Sequence, residues 1–390
     1  MAVTISSVDH VETRPGLEEV CARADALIPM LRERAATTEA LRRVPEETIQ
    51  AFRDAGLFRV FVPRRFGGYE LDYGITQIEL CSRLGRGCGS SAWVQSVVAV
   101  HVWILGMLPE PAQQAVWSDG PETLITTAVS PLDGKIRRVE GGYVVDGQWQ
   151  FSSGIDAADW VLFGGPLDGE PGVRAPWMLV HKRDWEIVDT WYAAGLKGTG
   201  SKDVRVRRAF VPEEWTASGF QRPGTVLNTS YIYRLPFGPL FFYNVACPAL
   251  GVALGAIEAY TAYVSSRPER ASMPQRQVRI AESAAEVDAA LALLRADAAE
   301  IIRLGREGVD VPQSTQIRWA RNTGFAVRLC TQAVDRLASA VGAHGMLDDT
   351  PIQRAFRDVH AIANHGGNNW DMRAEAYGKV ALGLEPGPAF

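Results

Sequence analysis

Histidines, cysteines and two short hydroxyl-bearing strings hold most of what this chain of 390 residues offers for chemistry. His360 and His365 stand in the string RDVHAIANHGGNNWD. Five helical steps turn one side chain roughly 140° from the other, so the pair cannot share a metal ion from a regular helix face. His365 runs into Gly366-Gly367, a helix-breaking pair that predicts a helix end or loop, where reactive groups are often presented. An imidazole there suits proton transfer near neutral pH. His101 lies between Val100 and Val102, beside Trp103, on an apolar helical run. Taken alone, a histidine in that setting reads as a satisfied core group. His344, in VGAHGML, reads as a helix end, and His10 and His181 as exposed residues. The cysteines are Cys21, Cys81, Cys88, Cys247 and Cys330, an odd number without a C-x-x-C pair. They read as small buried core residues, and the spacing of Cys81 and Cys88 predicts one face of a helix. Ser152-Ser153 before Gly154, and LKGTGSKD over 196–203, read as turns. In the second string the backbone N–H groups and hydroxyls could meet an anion or the polar edge of a ring.

Several chemistries lack their motif. No G-x-G-x-x-G opens a βαβ unit; the string Gly85-Arg-Gly87-Cys-Gly89 follows a helix and reads as a helix junction. There is no Walker loop, no HExxH, no GxSxG and no paired Cys/His ligand set. A redox role therefore needs a cofactor held on another kind of surface, and no metal is expected. The net charge is −5 without a basic tract, which argues against nucleic acid and an anionic membrane surface as partners. No run of 18 apolar residues predicts a membrane span, and the N-terminal string has no secretory pattern. A cytoplasmic location is the expectation. Hydrophobic residues make up 47% and charged residues 22%, enough for a large core. The first fifteen residues are the one stretch that looks unstructured.

The elements that must position these groups fall into three textures. From about 16 to 118 the periodicity is helical: Val20, Ala24, Leu27, Ile28 and Leu31 share a face, Pro45 starts a helix that Gly56 ends, and two further helices carry ITQIELCSRLGR and SSAWVQSVVAVHVWILGML. From about 122 to 226 short apolar runs alternate with turn signals, a strand-rich unit. In its clearest strand Tyr143, Val145, Trp149, Phe151 and Ser153 are expected on one face, an aromatic wall ending in a hydroxyl. From about 228 to 382 helices return, and Val287, Leu291, Leu294, Ala298, Ile301 and Gly305 suit a long helix in an antiparallel bundle. The expected domains are residues 1–120, helical; 121–227, β; and 228–390, a helical bundle. Trp93, Trp103 and Tyr243 could line a pocket for a ring, although most aromatic residues build cores.

Three separated segments resemble the acyl-CoA dehydrogenase superfamily, in its order. GGYVVDGQWQFSSGIDAADWVLFGG resembles the central flavin-facing strand, GLKGTGSKDVRVRRAFVP the loop and strand that close the β-domain, and VGAHGMLDDTPIQRAFRDVHAI the C-terminal helix pair. The similarity runs from VPEETIQAFRDAGLFRVFVPRRFGG onward. It implies an α+β fold with a helical N-terminal domain, a β-barrel-like centre and a C-terminal four-helix bundle, assembled as a homotetramer. In many dehydrogenases of this superfamily a catalytic glutamate lies eight residues after the RD aspartate. Counted from Asp358, that position is Gly366, which cannot take a proton from carbon. Some relatives place the base elsewhere.

The strings SSAWVQSVVAVHVW, WQFSSG, HAIANHGGNNWD and AYGKVALG resemble the flavin-dependent monooxygenases of the same fold, the oxygenase halves of two-component systems. That branch includes phenol and indole hydroxylases and a dibenzothiophene oxygenase. The resemblance implies reduced FAD or FMN delivered by a separate reductase, O2 adding to give a C4a-hydroperoxide, and oxygen transfer to a small aromatic substrate. It implies that His365 polarises or deprotonates the substrate hydroxyl or bonds the peroxide, and that His101 binds the substrate's polar group. Phe151, Ser152 and Ser153 would meet the flavin, with Ser153 at N5; Trp is frequent at the Phe151 position in relatives. Thr199 and Ser201 would reach the flavin edge or phosphate, and Arg267 and Gln277 a flavin shared with a neighbouring subunit. The alternatives are an acyl-CoA dehydrogenase, an N- or S-oxygenase of the same fold, or a helical scaffold without activity.

Overall fold

A computed structural model describes residues 14–217 and 223–387, so His10 and most of the N-terminal stretch lie outside the described residues. The chain opens with α1 (Leu17–Leu41), whose Val20, Ala24, Ile28, Leu31 and Ala35 form one buried stripe. Pro45 precedes α2 (Glu46–Asp54), with Glu46 and Glu47 placed favourably at the positive end of the helix. The segments α3 (Ile75–Gly87) and α4 (Gly89–Leu105) meet at the glycine string. Cys88 is the extended residue between them, with φ −155°, so it does not share a helix face with Cys81 as the spacing suggested. The reason is steric: a Cβ on Gly85 would lie 2.7 Å from Gly251 Cα, and one on Gly89 2.8 Å from an Asp358 oxygen, so both helices approach their neighbours too closely for side chains here. All five cysteines are buried and free. Every residue of α4 is buried, which makes it the central rod of the helical part. A short α5 (Glu110–Trp117) follows.

The strands form two sheets. The first has the order β1 (Ile125–Ala128), β5 (Trp160–Phe163), β6 (Trp177–His181), β9 (Thr216–Ala217), with β1 and β5 parallel. The second has the order β2 (Ser130–Pro131), β4 (Gly142–Ser152), β8 (Lys202–Pro212), β7 (Trp185–Val188), and β3 (Lys135–Val139) also pairs with β4. Trp149, Phe163, Val161, Met178, Val204 and Val206 pack between the sheets.

The simple alternation expected along β4 is interrupted. Register shifts against β8 fall between Val145 and Gly147 and again between Trp149 and Ser152. The first places its extra residue on β8, and Trp149 stays buried on the face of Tyr143 and Val145; the second places it on β4 and reverses the parity of the side chains that follow. Ser152 is therefore fully buried, and Phe151 turns outward with φ +67° and 58% of its surface exposed. Phe151 does not continue the aromatic wall, and Ser153 lies in the turn after the strand.

The second helical part contains α6 (Phe237–Phe241), α7 (Tyr243–Ala246), α8 (Pro248–Ser265), α9 (Pro268–Ala271), α10 (Pro274–Glu307), α11 (Gln313–Val341), α12 (Pro351–Ala363) and α13 (Trp370–Ala381). Helices α8, α10, α11 and α12 pack on one another as a bundle, with α13 against α11. Val287, Leu291, Leu294, Ala298 and Ile301 form the buried face of α10. The stretch Phe237–Ser265 is long and apolar enough to cross a membrane by length and composition, a point the sequence reading missed. In this fold 72% of its most apolar window is buried inside the protein, as expected of a core helix.

Candidate active site

Where α4 meets the turn after β4, four hydrogen bonds run in series. Trp93 Nε1–H donates to Ser153 Oγ at 3.0 Å. Ser153 Oγ lies 2.7 Å from Ser201 Oγ, which lies 2.6 Å from Thr199 Oγ1. Thr199 donates its proton to the Leu196 carbonyl at 2.9 Å. A carbonyl can only accept, so the direction of the whole chain follows. Thr199, having given its proton to Leu196, accepts from Ser201; Ser201 then accepts from Ser153. The Ser153 hydroxyl proton is thus committed, and its oxygen, already accepting from Trp93, has one acceptor direction left.

The loop supplying Thr199 and Ser201 is pinned from the helical side. Asp358 on α12 accepts the Leu196 N–H at 2.7 Å, and burial pushes its carboxyl up to about 7. Leu196 and Gly200 both adopt left-handed backbone, φ 50° and 57°, and bracket a single tight turn. Lys202, paired with Asp156 at 2.6 Å, ties this loop to the turn that follows Ser153.

His365 joins the cluster from the bundle. It follows α12 and caps the short 3-10 turn Gly366–Asn368: its Nδ1 accepts the Gly367 N–H at 3.0 Å. Nδ1 is therefore unprotonated, and the neutral ring carries its hydrogen on Nε2. The imidazole packs edge to face with Trp93, centroids 5.5 Å apart. Burial, and then the Arg373 charge, lower its pKa to about 4. At neutral pH His365 is thus a hydrogen-bond donor. Gly366, where a dehydrogenase would carry its base, has open space around its missing Cβ, and the buried Asp358 is engaged with Leu196.

The other expected residues are placed less centrally. His101 is 3% exposed, with Nδ1 3.1 Å from the Ile125 carbonyl and Nε2 3.1 Å from Thr127 Oγ1. Its Nδ1–H donates and its Nε2 accepts, so both nitrogens are engaged within the fold, and burial lowers its pKa to about 3. Ser152 Oγ donates to Thr126 on β1 at 3.0 Å. Phe151 meets Trp191 edge to face, with centroids 6.4 Å apart. Trp103 and Tyr243 belong to the helical core, not to an accessible pocket wall. Trp103 donates to the Ile232 carbonyl and stacks on Phe237 at an interplanar angle of 3°. Burial pushes the Tyr243 hydroxyl well above its ordinary range. Gln277 is exposed and donates to the Ala271 carbonyl. Arg267, also exposed, rims a crevice of about 650 Å³ with Arg270; Arg32 and Arg86 on the same crevice are paired with Glu258, and Arg354 with Glu39.

Sequence reasoning missed Thr127, Asp358 as a loop anchor, and Arg373. Thr127 carries no signal beyond its strand; Asp358 stands out in the sequence only as the aspartate from which the base position is counted; Arg373 follows HGGNNWD by two residues, without a motif of its own.

Residues 19–119 match the family described as acyl-CoA dehydrogenase, N-terminal domain, and residues 243–370 its C-terminal domain. The oxygenase subunit HsaA of a flavin-dependent monooxygenase from Mycobacterium tuberculosis is 35% identical, over 95% of this chain and 97% of that protein. Its crystal structure superposes with a TM-score of 0.91, covering 96% of this chain and 100% of its own. The oxygenase component of an FADH(2)-dependent resorcinol hydroxylase from Rhizobium sp. is 32% identical over 96% of both chains. XiaF from Streptomyces sp., solved with FADH2 and glycerol, is 28% identical with a TM-score of 0.89, covering 96% of this chain and 98% of its own. With its glycine at the base position and its imidazole beside a hydroxyl chain, this protein belongs to the acyl-CoA dehydrogenase superfamily and, within it, to the oxygenase components of flavin-dependent monooxygenases.

Proposed function

We propose that the chain hydroxylates an electron-rich aromatic ring of the phenol or indole type, drawing reduced FAD or FMN from a separate reductase. The direction of the hydroxyl chain carries this reading. Reduced isoalloxazine presents an N–H at N5 where the oxidised ring presents a bare nitrogen. A hydroxyl whose own proton is committed can accept from the first and has nothing to give the second. Ser153 therefore suits the reduced ring. When bound, the flavin supplies two electrons and the carbon at which dioxygen is activated.

The protein's part is to bind, orient and exclude water. Ser153 would accept from the reduced ring, with Ser201 and Thr199 holding its direction and the Phe151 ring on the exposed side. His365, neutral and protonated on Nε2, would donate a hydrogen bond to the substrate hydroxyl or to the oxygen being transferred. Among the roles open to this histidine, polarising fits its tautomer, since Nδ1 is already occupied and Nε2 has no lone pair free. Trp93 shields the imidazole and Ser153 from water at once. His101, on α4 and bonded to β1, would support the wall behind the ring, touching substrate only by exchanging its Thr127 bond. Arg267 at the rim of the crevice suits a flavin phosphate, and Arg267 and Gln277 are exposed in a way that suits a neighbouring copy in a homotetramer.

Anaerobic titration with reduced and oxidised FAD and FMN tests the reading. The reduced form should bind at least about tenfold tighter, and Ser153→Ala should narrow that gap, as loss of a bond of about 1 kcal/mol would. Equal affinity for both forms in the parent protein would sink the assignment of Ser153. His365→Ala should keep flavin binding but release more hydrogen peroxide per hydroxylated product, measured with a panel of phenols and indoles. Unchanged coupling would remove His365 from the reaction.

A further inference from the structure

Arg373 on α13 is 5% exposed, an unusual place for a guanidinium. Its Nη2 donates to the Gly367 carbonyl at 3.0 Å, and its Cζ stands 3.8 Å from the centroid of the Phe242 ring. Phe242 closes the other side of the same turn: a Cβ on Gly367 would fall 2.5 Å from Phe242 Cδ1, so only glycine fits between them. Asn368 fixes the end of the turn by donating to the Val245 and Ile362 carbonyls, each at 2.8 Å. Gly367 is thus held twice over. Its carbonyl accepts from Arg373, while its N–H selects the tautomer of His365.

We propose that Arg373 is a positioning residue for His365: stacked on Phe242, it clamps Gly367 so that the Gly367 N–H stays on Nδ1 and the imidazole keeps its hydrogen on Nε2. The inference rests on the assignment of His365 to the reaction. Arginine suits the task because its planar fork can stack and donate at once, which an ammonium cannot. Burial lowers Arg373 to about 10, so it remains a cation at neutral pH, and a fixed cation near the imidazole opposes a second positive charge. The nearby charged or titratable side chains of α12 and α11 have partners elsewhere. On α12, Asp358 accepts from Leu196 and His360 pairs with Asp335 of α11. On α11, Arg328 lies over the Trp370 ring. Trp93, which meets His365 from α4, and Phe242, which meets Gly367 from ahead of α7, do not titrate.

The test reads the resting protein, without flavin. Imidazole resonances of His365 and the exchange rate of the Gly367 amide are followed by NMR in the parent, Arg373→Met, Arg373→Lys and Phe242→Leu. In Arg373→Met the His365 titration midpoint should rise by about half a unit or more, short of the ordinary value because burial persists. Gly367 exchange should accelerate roughly tenfold, matching the loss of one charge-assisted bond. Arg373→Lys keeps the charge and loses the fork, so the midpoint should hold while exchange accelerates; Phe242→Leu should do the same. A parental midpoint and parental exchange in Arg373→Met would overturn the proposal. Should that variant not fold, parental Gly367 exchange in both of the others would overturn it instead. Failure of the His365 assignment has a separate signature, unchanged peroxide release in His365→Ala.

Discussion

Two buried polar clusters in this molecule are built on opposite plans. Between α10 and α11, Asp297 is 2% exposed and receives Asn322 Nδ2 on both oxygens, at 3.0 and 2.8 Å. Arg318 bridges Asp297 and Glu300, Trp319 donates to Glu300 at 2.8 Å, and Arg321 donates to Asn322 Oδ1. Opposite charges meet and the bonds close on themselves. At the junction of α4, the β4 turn and the turn after α12, the groups are neutral and joined in series. Two ends are left over: a lone pair on Ser153 and the Nε2–H of His365. A closed ionic cluster orders a bundle; an open neutral one has capacity left for a ligand. That difference, more than burial or perturbed titration, marks which cluster is the site, since Asp297 is shifted too, raised to about 6 by burial.

Breaking the closed cluster should have the largest effect and the wrong kind for catalysis. Asn322→Ala leaves the Asp297 carboxylate buried with fewer donors, a loss of about 2–3 kcal/mol. The denaturation midpoint should fall clearly, while the affinity for reduced flavin stays as in the parent. A flavin affinity that falls with stability would mean the two clusters are not separate in function.

The open cluster was partly legible in the sequence. Gly366-Gly367 marked His365 as a helix-end residue, and turn composition flagged Ser153, Thr199 and Ser201. Their convergence was not legible, because it depends on α4 passing the β4 turn, and Trp93 carries no local sign of its partners. Alternation along β4 misplaced Phe151 because bulges are invisible to a period-two count. The helical units were the plainest part, since a stripe such as that of α10 is local. Arg373 was hidden for the opposite reason: its meaning lies in one carbonyl and one ring brought to it by the fold.

A smaller effect separates the clusters by pH. His101 and His365 hold pKa values of about 3 and about 4, below the ordinary 6.5, so the unfolded chain takes up their protons first and stability falls as pH drops below 6.5. Asp297 and Asp358, at about 6 and about 7 against an ordinary 3.8, are protonated first in the folded state, so stability rises as pH drops from 7. Between about pH 6 and 4.5 the two pairs oppose each other and nearly cancel. His365→Asn removes one histidine from that balance. The stability difference between variant and parent should then shift toward the variant by up to about 1.4 kcal/mol per pH unit in this window. Denaturant unfolding at several pH values reads it, and a difference that does not change with pH would mean His365 titrates normally.

The smallest effect tests direction within the open cluster itself. Thr199 anchors the polarity of the chain through the Leu196 carbonyl, whereas Trp93 only adds a donor at the far end. Thr199→Val removes the anchor, so Ser201 can turn its proton toward Ser153 and free Ser153 to donate. The preference for reduced over oxidised flavin should shrink several-fold, by about 1 kcal/mol. Trp93→Phe keeps a ring beside His365 and leaves the polarity intact. It should weaken binding of reduced flavin by less than about threefold and leave the preference standing, as loss of a bond at the weak end of the range would. If Trp93→Phe erased the preference while Thr199→Val preserved it, the preference would rest on the tryptophan contact and not on the direction of the hydroxyl chain.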